Sequence, residues 1–517
     1  MGGGGQQRKD HREDEEGLRG PDHDARAYHA RQRRLRRCGK EPGVRCVSVL
    51  SIPGDAVHPP DPADPSAPAP RSADGVLSLL GASAFGGRRV GLELETGVLR
   101  ASDGTPARFD GPDGIEALLA RLRDEGGPWQ EEVRERGRLV ALRGGGASLT
   151  LEPGGQLELS TRARRDLCSL AAEVREGLAR MARVAEDLDL WLVGGGLQPA
   201  HSEQVPWMPK ARYAVMREYF ARLGDAGRLA HTMMQRTLSV QVSLDFVDAE
   251  DAAELLRLAF WAAAPATAMF AASPFDGDDE AGVLSLRAMA WRRTDPARSG
   301  EVAGCARPES TLRDWVDYAL DVPMMFRIRG EEYLPQHGAS FRRVLEAGRW
   351  DDGARVTVED LWNHMSGIFT DARIKRGLVE LRSTDGQLPG DVLSVPAFWV
   401  GLLYDARARR EAAELLRGPD ANEREEALED VGRFALSASW GGRPMIDVAR
   451  GLLEVARGGL ERRVASGEEA PEALAFLAPL ERRLRQGRTP AEELLEAWRG
   501  PWRRRRERLV EALRFRP

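Results

Sequence analysis

Val90-Gly91-Leu92-Glu93-Leu94-Glu95 alternates apolar and acidic residues, and a strand sorts such a run onto two faces, with Glu93 and Glu95 opposite Leu92 and Leu94. Four more short segments follow the same rule. Leu157-Glu158-Leu159-Ser160, entered through the turn Pro153-Gly154-Gly155, presents Gln156, Glu158 and Ser160 on one face. Ser239-Val240-Gln241-Val242-Ser243-Leu244-Asp245-Phe246 sets Gln241, Ser243 and Asp245 against its apolar residues; residues 283–287 pair Ser285 with Arg287, and residues 378–382 pair Glu380 with Arg382. The apolar faces need cover. Leu167, Leu170, Ala171, Val174, Leu178, Met181 and Val184 fall at helical spacing and predict an amphipathic helix over 165–187, with a more apolar one over 249–271. The expected fold class is α+β, an antiparallel sheet with helices outside.

The polar faces are unusual in being acidic. Glu is a poor strand former, and like charges on neighbouring strands repel unless something neutralises them. Glu93, Glu95, Glu158 and Glu380, with Asp245 beside them, therefore point to a hard divalent cation, and Mg²⁺ favours sites that it shares with phosphate oxygens. Arg287 and Arg382 on the same faces suit a substrate carboxylate or a transferring phosphoryl group. Taken singly, each segment reads equally well as a half-exposed antiparallel strand. The joint pattern carries the reading: a magnesium and nucleotide enzyme whose reaction stays open. The glycine runs 144–146 and 194–196 have no P-loop context and read as turns or tight approaches.

Composition narrows the alternatives. The chain has 517 residues, 42% of them hydrophobic, enough for a large core, which excludes disorder throughout. With 75 Lys plus Arg against 81 Asp plus Glu there is no excess of positive charge for nucleic acid. No apolar run reaches the length of a membrane span. Cys38, Cys46, Cys168 and Cys305 form no C-x-x-C pair, so a reducing cytoplasm is the expected compartment. Residues 1–72 read as a disordered extension, without the apolar core of a signal peptide and too acidic for a transit peptide. Residues 73–405 form the expected catalytic body and 406–517 a helical layer packed on it, in which Thr489-Pro490-Ala491-Glu492 opens a helix with a capping box. Of the four lysines, Lys210 and Lys375 lie in the globular part, as sites that need a compact ammonium or as chance survivors on a solvated surface.

Ordered motifs add a resemblance. Leu151-Glu152-Pro153-Gly154-Gly155-Gln156-Leu157-Glu158-Leu159-Ser160, Met208-Pro209-Lys210-Ala211-Arg212-Tyr213, residues 231–246, Ser273-Pro274-Phe275, residues 317–324, 373–385 and 393–405 together resemble the plant-type glutamate-cysteine ligase family. The resemblance implies a glutamine synthetase-like sheet funnel, and a reaction in which ATP and Mg²⁺ activate the γ-carboxylate of glutamate as an acyl phosphate for attack by the amine of cysteine. It implies Glu93, Glu95, Glu158 and Glu380 as metal ligands. It further implies Arg382, Arg287 and Lys210 as groups acting on the transferring phosphoryl and the substrate, and Lys375, Gln241 and Arg373 as contacts to ATP. Small-molecule substrates and a monomer or homodimer are expected, in glutathione biosynthesis. Ser243 and Ala272 stand where the family has Asn, so another amine acceptor, or a ligase of ergothioneine supply, remains an alternative.

Overall fold

The computed structural model describes Met1, Gly2 and residues 64–517. The chain divides into two units, Met1–Ile52 and Pro53–Pro517; the first contributes only Met1 and Gly2 to the described residues, and the architecture is that of the second. The extension expected over 1–72 therefore lies mostly outside the described residues. Its end does not behave as a tail: the Ala69 N–H donates to the Val356 carbonyl at 3.0 Å, the Val358 N–H to Ala67 at 2.9 Å, and Ser72 caps a helix.

Nine strands make one antiparallel sheet: β1 (Val90–Arg100), β2 (Glu131–Glu135), β3 (Arg138–Gly144), β4 (Ala147–Leu151), β5 (Leu157–Ser160), β6 (Leu190–Val193), β7 (Val240–Asp245), β8 (Ala372–Lys375) and β9 (Leu378–Leu381). Their order is β8-β9-β7-β1-β5-β4-β3-β2, and β6 pairs with the far half of β1. A sheet of sequence-distant antiparallel neighbours needs helical crossings between strands. These are supplied by α1 (Leu167–Glu186), α2 (Ala249–Met269) and α3 (Leu286–Arg292), and α4 (Ser394–Leu403), α5 (Met445–Ala465) and α6 (Pro490–Arg499) follow the last strand.

Leu92, Leu94, Val240, Val242, Leu244, Val379 and Leu381 are buried on one face, against which α1, α2 and α4 pack. Each such side chain contributes roughly 1.5–3 kcal/mol on leaving water. Asp166 caps α1 and Asp248 caps α2, each accepting from first-turn N–H groups. Pro265 sits inside α2, which is buried along most of its length. Thr489 and Glu492 close the expected capping box at α6.

One strand expectation fails. Residues 283–287 do not extend the sheet: Ser285 is the N-cap of α3, its hydroxyl accepting from the Ala288 N–H, and Arg287 is already helical. A Ser directly before a short, largely apolar run serves as a cap as readily as a strand residue, and alternation over so few positions cannot separate the two.

Candidate active site

The register of the sheet assembles the polar face. β1 runs through the middle, so Glu93 lies opposite Gln241 of β7 on one side and Ser160 of β5 on the other, while Glu95 lies directly opposite Glu158. Glu380 of β9 lies between Ser243 of β7 and Arg373 of β8. The four glutamates expected from sequence are thus on one face of neighbouring strands. A fifth joins them: Glu152 follows β4 two residues beyond Thr150, and its charge acts on both Glu95 and Glu158. Sequence places it ahead of the turn and inside the motif 151–160, but strand alternation does not reach it and assigns it no face. Gly155, at φ +83°, turns the chain there.

Two kinds of environment share this face. At one end Glu380 is fully buried and surrounded by cations. The Lys375 ammonium lies 2.8 Å from its Oε1 and 2.6 Å from Glu93 Oε1, bridging the two. Arg373 donates to Glu380 Oε2, and Arg382 reaches the same oxygen at 2.7 Å while donating to the Gln241 side-chain carbonyl. Burial would raise this carboxyl, yet Arg373, Lys375 and Arg382 hold it well below the usual carboxylate range. Lys375 and Arg373 thus face carboxylates.

At the other end, among the described residues, no cation is bonded to the carboxyls, and Arg287, Arg382 and Lys375 act on them only from a distance. Glu95 accepts from the Ser239 hydroxyl at 2.8 Å and Glu158 from the Thr150 hydroxyl at 2.7 Å; among the described residues no ion pair reaches Glu95, Glu152 or Glu158. Burial, then Glu152, pushes Glu95 up to about 7, and burial with Glu93, Glu152 and Glu95 pushes Glu158 well above the ordinary value. Lys210, at the start of the helix after residue 210, donates to the Leu151 carbonyl at 3.1 Å and the Tyr213 hydroxyl at 3.0 Å, its pKa lowered by burial. Asp245 turns away from this set toward Ser83 and the Ala84 N–H.

As they stand, no three Asp, Glu, His or Cys side chains among the described residues converge closely enough to hold a metal ion. The donor chemistry nevertheless fits one: anionic oxygens only, whose mutual repulsion a dication would relieve. Arg287 comes to the same place from α3. Its Nη2 donates to the Arg382 carbonyl at 2.8 Å, and its Nη1 lies 3.8 Å from Asp385. Asp385 is fixed by the Ser273 and Ser285 hydroxyls and the Ala272 N–H. Strand alternation thus groups Arg287 with the acidic face, beside which it lies, but assigns it the wrong kind of element. His364 is structural: buried, stacked on Phe341 and bonded to the Ala319 carbonyl.

Comparison with known proteins places this face in context. Residues 89–512 match the model of glutamate-cysteine ligase family 2 (GCS2). The chloroplastic glutamate-cysteine ligase of Brassica juncea is 36% identical over 417 residues, 80% of this chain and 78% of that protein. Glutamate-cysteine ligase B of Oryza sativa, also chloroplastic, is 34% identical over 419 residues, 80% of this chain and 81% of its own. Among solved structures, the Francisella tularensis glutamate-cysteine ligase in complex with AMP aligns at TM-score 0.48 and 12% identity, over 82% of this chain and 87% of that one. The expected cytoplasmic location is overturned by the curated relatives, which are chloroplastic proteins. Cysteine usage separates oxidising from reducing surroundings and cannot tell one reducing compartment from another.

Proposed function

The chain belongs to glutamate-cysteine ligase family 2, and from that membership we propose how its acidic sheet face carries the reaction. The protein is an ATP-dependent ligase that joins glutamate to cysteine as γ-glutamylcysteine, for glutathione synthesis. In our reading the γ-carboxylate is first phosphorylated, and the amine of cysteine then displaces phosphate from the acyl phosphate. The sheet would form the wall of a funnel of the glutamine synthetase kind; what supports this is that β1, β5, β8 and β9 and the start of α3 bring charged side chains, and β7 brings Gln241, to one face.

Glu93, Glu95, Glu158 and Glu152 would hold Mg²⁺, which when bound screens the repulsion between triphosphate and carboxylate, whereas Glu380, expected in the same set, has both oxygens on Lys375, Arg373 and Arg382. Arg382, fixed by Glu380 and Gln241, faces the transferring phosphoryl group. Arg287 takes a substrate carboxylate. Lys375, Arg373 and Gln241 line the nucleotide side, and Lys210 stabilises the end of the cup at Glu152. Because the strands are rigid, these groups keep their spacing while the substrates are brought together.

The observation that carries the reading is the pairing of Glu95 with Glu158 beside a Glu93–Lys375–Glu380 bridge. Release of ADP from glutamate, ATP and Mg²⁺, assayed with and without cysteine and with the product identified by mass, tests it. Cysteine-dependent γ-glutamylcysteine is expected; no glutamate-dependent ADP would overturn it. Ser243 lies opposite Glu380 and the Ala272 N–H binds Asp385, both where the family pattern has Asn. That favours a second reading, an acceptor amine other than cysteine, which a panel of amines in the same assay separates.

A further inference from the structure

Beside Arg382 the structure leaves a cavity between α3 and residues 369–371, lined by Arg287, Trp291, Arg382, Thr370 and Asp371. Three polar atoms belonging to its lining residues are buried without a hydrogen-bond partner: Arg287 Nε, Trp291 Nε1 and Asp371 Oδ2. Buried polar atoms in native proteins are nearly always bonded, and three gathered around one small cavity call for a partner that the protein itself does not supply. Two are N–H donors and the third is an anionic acceptor. A carboxylate answers the donors and an ammonium answers the acceptor, and an α-amino acid carries both on one carbon.

The groups are held in place. Arg287 is 2% exposed and fixed by the Arg382 carbonyl and Asp385. The Asp371 backbone is clamped on both sides, its carbonyl accepting from the Arg382 N–H at 2.8 Å and its N–H donating to Gly300 at 3.0 Å. Burial, the largest influence on the Asp371 carboxyl, lifts it to about 6; Arg292 and Arg287 oppose the rise while Glu301 and Glu425 add to it, and the group is anionic above neutral pH.

We propose that Asp371 is a specificity-determining residue of the ligase, receiving the α-ammonium of an amino-acid substrate whose α-carboxylate is held by Arg287 and Trp291. The inference rests on the ligase reading and deepens it. Both substrates of that reaction are α-amino acids, and each can be withdrawn separately.

The full chain is compared with its Asp371→Asn and Asp371→Glu variants, measuring KM for glutamate and for cysteine, ATP affinity, and inhibition by two analogues without the amine, glutarate and 3-mercaptopropionate. Asp371→Asn raises the KM of one amino acid about 10–100-fold, the range for a hydrogen bond to a charged partner. ATP affinity and binding of the corresponding des-amino analogue stay as they were, and Asp371→Glu recovers part of the loss. Which KM moves identifies the substrate. Unchanged KM values for both amino acids, or equal weakening of parent and analogue, would overturn the proposal. If Asp371→Asn does not fold, Asp371→Glu and Trp291→Phe decide: the first must shift the parent against its analogue, and the second, which removes a donor to the carboxylate, must weaken both alike. Failure of the wild-type chain to release ADP with glutamate would instead count against the ligase reading.

Discussion

Glu158 faces Glu95 across the sheet, and among the described residues no cation is paired to either. Such a pair is unfavourable to the fold, and its persistence makes sense only if the negative charge is used. Glu158→Gln therefore separates the two demands. Turnover falls by about 100-fold or more, as when a preorganised electrostatic group is removed from a transition state. The ligand-free protein, relieved of a carboxyl whose ionised form burial and its acidic neighbours disfavour, melts no lower than wild type, read by circular dichroism. Retained turnover would remove Glu158 from the proposed ligand set. This much is visible in the sequence, because acid side chains at every second position of a strand pattern are hard to explain otherwise. Glu152 is not visible there, since it lies past the end of β4 and no periodicity assigns it a face.

Elements are legible where their pattern is long or their ends are chemically marked. Four of the alternating segments are β1, β5, β7 and β9, and the capping residues of α6 act as their types require. Residues 283–287 mislead because the decisive contact is distant: Ser285 binds Asp385, a hundred positions away, while it caps α3. The run 194–196 reads as a turn or a tight approach, and Gly196 is the latter: a Cβ there would lie 2.5 Å from Asp385 Oδ2 and 2.6 Å from its Cγ. Gly196→Ala consequently pushes on the carboxylate that seats Arg287. A loss of about 1–3 kcal/mol in stability is expected from such overpacking, with a rise in the KM of the substrate bound by Arg287 that exceeds any change in ATP affinity. Chemical denaturation and steady-state kinetics check both; a stable variant with ordinary kinetics would mean that the knot around Asp385 is slack.

The whole molecule carries a formal charge of −6, and part of that charge is concentrated on one sheet face, which ties its stability to pH and to cations. Burial and Glu152 raise Glu95 to about 7 from its ordinary value of 4.5. The folded state thus keeps a proton that the unfolded chain gives up, so the contribution of this group is present in acid and is lost as pH climbs from about 4.5 through 7. The melting temperature of the metal-free protein should fall across that window, and Glu95→Gln should flatten the fall. A dication bound among these carboxylates reverses the balance by favouring their ionised forms and by mass action. Saturation at 100 times its dissociation constant adds about 2.7 kcal/mol. Thermal melts with and without Mg²⁺ should accordingly diverge little near pH 5 and most above pH 7, with ATP enlarging the gap and Glu158→Gln closing it. Melting curves that Mg²⁺ leaves unmoved at every pH would show that the acid face is balanced by the protein's own cations, and would take the metal out of the mechanism.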